Sequence, residues 1–159
     1  MTDPDPPVIR SATEGDIEAV ARLLIQVQDQ HVRDYPRMFK PMPMAVAVAT
    51  VAPDIAAGRY TVADRGGVVG FIKWFIHDRP DSAYTFATRI VAIDAIGVDV
   101  ACRRRGIGQS LLAWEIERGR VAGVERVQLD SWGLNTGAHA AFEKAGFTAY
   151  NFRFWRLLR

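Results

Sequence analysis

Apolar residues recur at helical spacing in Ile17, Val20, Leu23, Leu24 and Val27, which predicts a helix with one buried face. Val8–Ser11 ahead of it reads as a strand, and Thr13 with Asp16 forms a capping-box-like pair, Asp standing for Glu. Three prolines and mixed charges from Asp34 to Pro43 predict a loop. Met44–Ala57 follows as a short second helix, interrupted by Pro53. After Gly58 the rhythm becomes strand-like. Tyr60–Ala63 and Val68–Ile76 flank Asp64-Arg65-Gly66-Gly67, a hairpin turn. His77–Thr85 is polar and holds a proline, so it reads as a loop before the long apolar strand Ile90–Val98. A helix over about Gly106–Arg120 should bury Ile107, Leu111, Trp114 and Ile116. Glu125–Ser131 is the next strand, and Thr136–Ala145 the next helix, closed by Gly146. Phe147–Leu158 is aromatic-rich and predicts one or two closing strands. With residues 1–7 as a loose tail and no repeats, residues 8–159 read as a single α/β domain, a mixed central sheet flanked by helices.

The strand-to-helix junction carries the chemistry. Arg103-Arg104-Arg105-Gly106-Ile107-Gly108 joins the Ile90–Val98 strand to the following helix. Two glycines spaced by one residue permit a tight turn and expose successive N–H groups at a helix start. A helix N-terminus carries partial positive charge and unsatisfied donors, so it suits a phosphate or pyrophosphate, and three arginines add charge of the same sense. The loop is not a P-loop, because Gln109-Ser110 follows Gly108 where Lys-Ser/Thr is required. Nor is it a dinucleotide fingerprint, which needs three glycines in a first βαβ unit.

Composition narrows the partners. At 159 residues with 49% apolar and 24% charged, the chain reads as one soluble globule. A net charge of +2 gives no reason to expect a nucleic-acid partner. The single cysteine, Cys102, excludes an intramolecular disulfide and fits a reducing compartment. The acidic, proline-rich start is not a signal peptide, and no apolar run is long enough to cross a membrane. We therefore expect a cytoplasmic location and no membrane partner. No two of His31, His77 and His139 stand at metal-ligand spacing, so no metal is expected.

Ile93–Gly108 resembles the acetyl-CoA-binding motif of the GNAT acyltransferases, R/Q-x-x-G-x-G/A, with Arg103, Gly106 and Gly108 on the motif positions. A second block is similar to N-x-x-A-x-x-x-Y-E-K-x-G-F: Asn135, then Ala138, then Phe142-Glu143-Lys144-Ala145-Gly146-Phe147. Val8–Asp16 fits the same family's first strand and helix. The resemblance implies a GNAT-like sheet and acetyl-CoA as co-substrate. It implies acetyl transfer to a primary amine, on a small molecule or a peptide, by direct attack in a ternary complex. Cofactor contacts are expected from Ile96, Gly97, Val98, Arg103, Arg104, Arg105, Gly106, Ile107, Gly108, Gln109, Asn135 and Phe142.

The expected catalytic groups are Asp94, Gly97 and Tyr150. Asp94 sits in an otherwise apolar strand, as a base acting through water or as a carboxylate paired to a cation. Gly97 brings backbone close to the thioester, where a fixed donor is needed. The family's acid tyrosine is replaced by Phe142, which has no proton to give, so Tyr150 becomes a candidate acid or a packing residue. Asn135 could contact CoA, cap the next helix, or both. A CoA-binding sensor with little catalysis is the alternative. Asp29, Asp34, Asp78 and Asp81 give the acceptor-side loops an acidic cast that suits a cationic amine. The chain end could also pair between two copies, making a homodimer.

Overall fold

The computed structural model describes residues 6–158; the first five residues of the expected tail, and Arg159, lie outside them. Five strands form one sheet in chain order: β1 (Val8–Ser11), β2 (Tyr60–Asp64), β3 (Val68–Arg79), β4 (Thr88–Val98) and β5 (Arg126–Leu129). The first three pairings are antiparallel and β4–β5 is parallel. Helices α1 (Ile17–Asp34) and α2 (Met44–Ala56) cover one face, over a cluster of Val20, Leu23, Val51, Ile55, Val62 and Phe71. Helices α3 (Ile107–Val121) and α4 (Thr136–Lys144) cover the other, over Ile72, Ile93, Leu111, Leu112 and Phe142.

Local chemistry accounts for the element ends. Thr13 N–H donates to Asp16 Oδ2 at 2.8 Å, completing the capping box before α1. Gly67 N–H donates to Asp64 Oδ1 in the β2–β3 turn, and Gly146, at φ 89°, ends α4.

Four expectations are corrected. Pro53 does not interrupt α2, which runs through it to Ala56. His77–Arg79 are not loop, because β3 continues and pairs them with Ile90, Arg89 and Thr88. On α3, Trp114 is 44% exposed, whereas Leu112 and Glu115 are buried. The closing strands do not form: residues 146–158 hold no regular structure.

Candidate active site

The sheet is divided along one line. β4 and β5 pair only over Ile90–Ile93, and β5 ends at Leu129 while β4 continues to Val98. Beyond Ile93 the outer edge of β4 has no strand beside it among the described residues. Asp99 N–H donates inward to Val69 O, and the Val98 carbonyl, facing the opposite way, accepts from Arg103 Nε at 3.2 Å. Backbone alternation then turns the N–H and C=O of Ile96 and Val98 into the gap and those of Gly97 toward β3. Helix α1 spans the gap on its own face: Gln26 bonds Asp99 and the Val100 N–H, and Gln30 Nε2 donates to Asn135 Oδ1 at 3.1 Å.

A bulge lies at the base of the gap. Between Lys73 and Trp74 β3 advances one residue while β4 advances two, leaving Asp94 as the extra one. Alternation therefore breaks: Ile93, Ile96 and Val98 pack under α3, and Ala95 packs under α1 and α2. The bulge carries a carboxylate beside a cation. Lys73 Nζ lies 3.0 Å from Asp94 Oδ2 and 3.0 Å from Asp54 Oδ2. Burial opposes the Lys73 charge, but the two carboxylates outweigh it and its pKa is raised. The hydrogen bond from Lys73 holds Asp54 below the usual carboxylate range.

At the other end of the gap stands the N-terminus of α3. Gly106, at φ 78°, is the N-cap and has no side chain to cap the first turn, so the N–H groups of Ile107, Gly108 and Gln109 face outward. Arg104 takes φ 60°, a left-handed conformation that costs an L-residue about 1–2 kcal/mol. Gly108 meets only Val98 Cγ2, at 3.8 Å from an added Cβ, so the fold itself has room for a side chain there. Arg103, Arg104 and Arg105 are all exposed around this turn. The donors, the missing Cβ and the cations fit a pyrophosphate.

A family model described as the acetyltransferase (GNAT) family matches residues 24–147. The chain belongs to that family. Mycothiol acetyltransferases from Sanguibacter keddieii and Beutenbergia cavernae are 35% and 34% identical, over 65% and 48% of this chain. The chain spans less than a third of the length of either relative, 32% and 28%. A mutant Bacillus halodurans protein superposes with TM-score 0.89 at 24% identity, covering 96% of this chain and 99% of that one. The aminoglycoside N-acetyltransferase AAC(6')-Iy, solved with CoA, superposes with TM-score 0.72 at 20% identity, covering 96% and 95%. These likenesses establish the fold.

Against the GNAT frame, the expected residues divide by what they touch. A Cβ on Gly97 would lie 2.7 Å from Phe71 and 2.8 Å from Val27, so packing by itself requires glycine here. Ile107 is fully buried, and only its backbone is available to a ligand. Gln109 spends its side chain on Ala141 O at 2.8 Å, tying α3 to α4. Asn135 caps α4 through Ala138 N–H, and its oxygen also accepts from Gln30, leaving its NH2 to donate. Phe142 is 8% exposed and packs with Phe147, a core position rather than a cleft wall. Tyr150 stands on no strand and is 68% exposed.

An aromatic group at the end of α1 was not anticipated. Trp132, in the β5–α4 loop, sits 5.0 Å from Phe39 and 5.3 Å from Tyr35, with His31 at 6.1 Å. Leu134 N–H donates to Tyr35 Oη at 3.1 Å. Burial lowers the His31 pKa, against a smaller opposing pull from Asp34. Beside this group a groove of about 480 Å3 is lined by Tyr35, Met38, Leu134, Trp155 and Leu157, with Asp34 and Arg37 as its charged side chains. The signal was distributed over three loops, so no local spacing marked it. Of the four acidic residues expected on this side, Asp78 pairs with Arg89 and Asp81 accepts from Ala87 N–H. Asp34 alone of the four lines the groove.

Proposed function

We propose that this chain is an acetyl-CoA-dependent N-acetyltransferase that passes an acetyl group to a primary amine bound with the co-substrate. The observation that carries the reading is the uncapped first turn of α3, opening onto the free edge of β4. In this reading the amides of Ile107, Gly108 and Gln109, with Arg103, Arg104 and Arg105, hold the pyrophosphate. The edge amides of Ile96 and Val98 accompany the pantetheine arm, and the Asn135 NH2 reaches it from the other side. Bound acetyl-CoA supplies the activated acyl group. The Ile96 N–H then takes the place given to Gly97 as donor to the carbonyl oxygen.

An amine near pH 7 must lose a proton before it attacks, since its solution pKa is about 10.4. Asp94 is the proposed acceptor of that proton through water, with Lys73 fixing its carboxylate at the bulge. Tyr150 remains the proposed acid for the departing thiolate, and water serves where its exposed hydroxyl does not reach. A small-molecule amine is the proposed acceptor, in keeping with the names of the mycothiol and aminoglycoside relatives. The lone Cys102 supports a cytoplasmic setting.

A second reading, a CoA-binding sensor, is favoured by the buried Phe142 and the exposed Tyr150, which leave no acid positioned in the gap. Release of free CoA thiol from acetyl-CoA, with and without a panel of primary amines, separates the two. Amine-dependent release is expected, and Asp94→Asn should depress it at neutral pH with partial recovery at high pH, where the amine is already neutral. Binding without release under any amine would support the sensor. An Asp94→Asn effect that is flat across pH would remove the base assignment.

A further inference from the structure

Helix α1 crosses the gap, and its contacts set the crossing point. Near its start Val20 and Leu23 pack with Val62 and Phe71, over β2 and β3. Val27 then reaches β4, its Cγ2 standing 2.8 Å from where a Cβ on Gly97 would lie. Tyr35, just past the helix end, is already on the far wall, where its Oη accepts from Leu134 N–H. His31 lies midway, four residues after Val27 and four before Tyr35, on the same face of the helix. Four residues advance a helix by about 6 Å. The imidazole therefore stands over the gap at the level of Gly97, whose neighbours Ile96 and Val98 supply the edge amides.

Its surroundings leave it unspent. Phe39 in the α1–α2 loop is 5.0 Å from the ring, and Trp132 in the β5–α4 loop is 6.1 Å away. Neither ring nitrogen makes a hydrogen bond among the described residues. Of the charged groups nearby, Asp34 on α1 acts on the ring, and Arg37 lines the groove with Asp34. His139 on α4 is turned to the Trp132 carbonyl, at 3.1 Å. Burial outweighs Asp34 and lowers the His31 pKa, so at pH 7 the imidazole is neutral and able to accept a proton.

Acetyl transfer has work for such a group. After the ammonium has given its first proton to Asp94, the attacking nitrogen still carries two hydrogens, and the amide product keeps one. The second must leave as the C–N bond forms, while the sulfur must gain a proton as the C–S bond breaks. Phe142 has no proton to give, and Tyr150 is 68% exposed.

We propose that His31 is a catalytic residue of the acetyl transfer, carrying that second proton from the nitrogen of the tetrahedral adduct to the departing CoA sulfur. The inference rests on the acetyl-transfer reading. Nitrogen and sulfur are bonded to one carbon in the adduct, so a single imidazole reaches both. The ring takes the proton, the C–S electron pair goes to sulfur, and the imidazolium returns the same proton to it. Amide and free CoA thiol are released, and the imidazole ends as it began. His31 thus fills the place left to water where Tyr150 does not reach.

Two measurements on the full chain test this. The His31 ring is followed by proton–carbon NMR across pH, with free CoA and with ADP. CoA should move the ring signal and its titration midpoint, and ADP, which lacks the pantetheine thiol, should move neither. A CoA response no larger than that of ADP overturns the proposal. Amine-dependent thiol release is then compared in His31→Gln and His31→Ala, both checked by melting for a folded domain. We expect kcat to fall about 100-fold or more in each, with KM for acetyl-CoA unchanged. Free imidazole should restore part of the His31→Ala rate, and more of it at pH values where imidazole is unprotonated. A purely structural role would not respond to it. A loss below about threefold, or one that imidazole does not relieve, overturns the proposal and leaves the acetyl-transfer reading standing. No release from the wild-type chain overturns both.

Discussion

Gly97 and Gly108 look alike in the sequence and differ in what surrounds them. Gly97 is needed by its neighbours: an added Cβ would overlap Phe71 and Val27. Gly97→Ala should therefore destabilise the domain by about 1–3 kcal/mol, the usual range for overpacking, measured by urea unfolding. Gly108 has helical backbone and room for a Cβ, so nothing within the fold requires glycine. Gly108→Ala should raise stability by up to about 1 kcal/mol through helix propensity. It should weaken acetyl-CoA binding by roughly tenfold, about 1.4 kcal/mol, by crowding the pyrophosphate. Titration calorimetry paired with unfolding checks both signs, and unchanged affinity would remove the pyrophosphate from this turn. The glycine spacing made the loop legible in sequence. The role of Gly97 was not, because Phe71 and Val27 lie 26 and 70 residues away in the chain and only packing brings them there.

Among the elements, α3 departs furthest from its apparent pattern. Periodicity placed Trp114 and Ile116 inside, yet the inward stripe runs Ile107, Leu111, Leu112, Glu115 and Gly119. Glu115 is fully buried, accepts from Thr61 Oγ1 at 2.6 Å and pairs with Arg118 Nε at 2.9 Å. Arg118 in turn lies 4.0 Å over the Trp74 ring. A carboxylate in an inward stripe reads as surface until its partners are known, and Thr61 sits on a strand 54 residues earlier. Burial raises the Glu115 pKa, with Thr61 and Arg118 pulling the other way. Its folded pKa thus stands above its unfolded one, so its contribution is greatest at low pH and declines as pH climbs from about 4.5 through the raised value. Glu115→Ala should still cost about 3 kcal/mol at neutral pH, because it leaves Thr61 and Arg118 without their acceptor. A loss below 1 kcal/mol in urea unfolding would mean that the pair barely offsets its desolvation. The chain end illustrates the other failure. Its aromatic-rich sequence predicted closing strands, but residues 147–158 hold no regular structure, since strand propensity alone does not make a strand without a paired edge.

At the scale of the whole molecule, helix order, hairpin and glycine loop were legible because each rests on neighbours within a few residues. The cleft was not, since it arises from a mismatch in length between β4 and β5. That mismatch leaves β4 and β5 paired only over Ile90–Ile93, while α3 packs on strands to either side of the split. The far side of the sheet is braced by Arg10, which bonds Asp16 at 2.7 Å and Asp64 at 2.7 Å. The hydrogen bond from Arg10 is the main cause holding the Asp16 pKa at about 2, below its ordinary 3.8. The depressed value means stability present above about pH 4 and lost as pH falls toward 2, worth about 2 kcal/mol. Asp16→Asn should flatten acid unfolding in that window, and an unchanged acid limb would place the acid sensitivity elsewhere. The split between β4 and β5 should respond to ligand instead. Acetyl-CoA at 100 times its dissociation constant adds about 2.7 kcal/mol, or roughly 5–10 °C in melting temperature for a domain of this size. If it lies in the gap, amide exchange should slow on both walls together: Ile96 and Val98 on β4, and Trp132–Asn135 before α4, along with the first turn of α3. ADP carries the pyrophosphate without the pantetheine arm, so it should protect the α3 turn and leave β4 unchanged. Equal footprints for the two ligands would confine binding to the helix end and leave the split between β4 and β5 without a ligand.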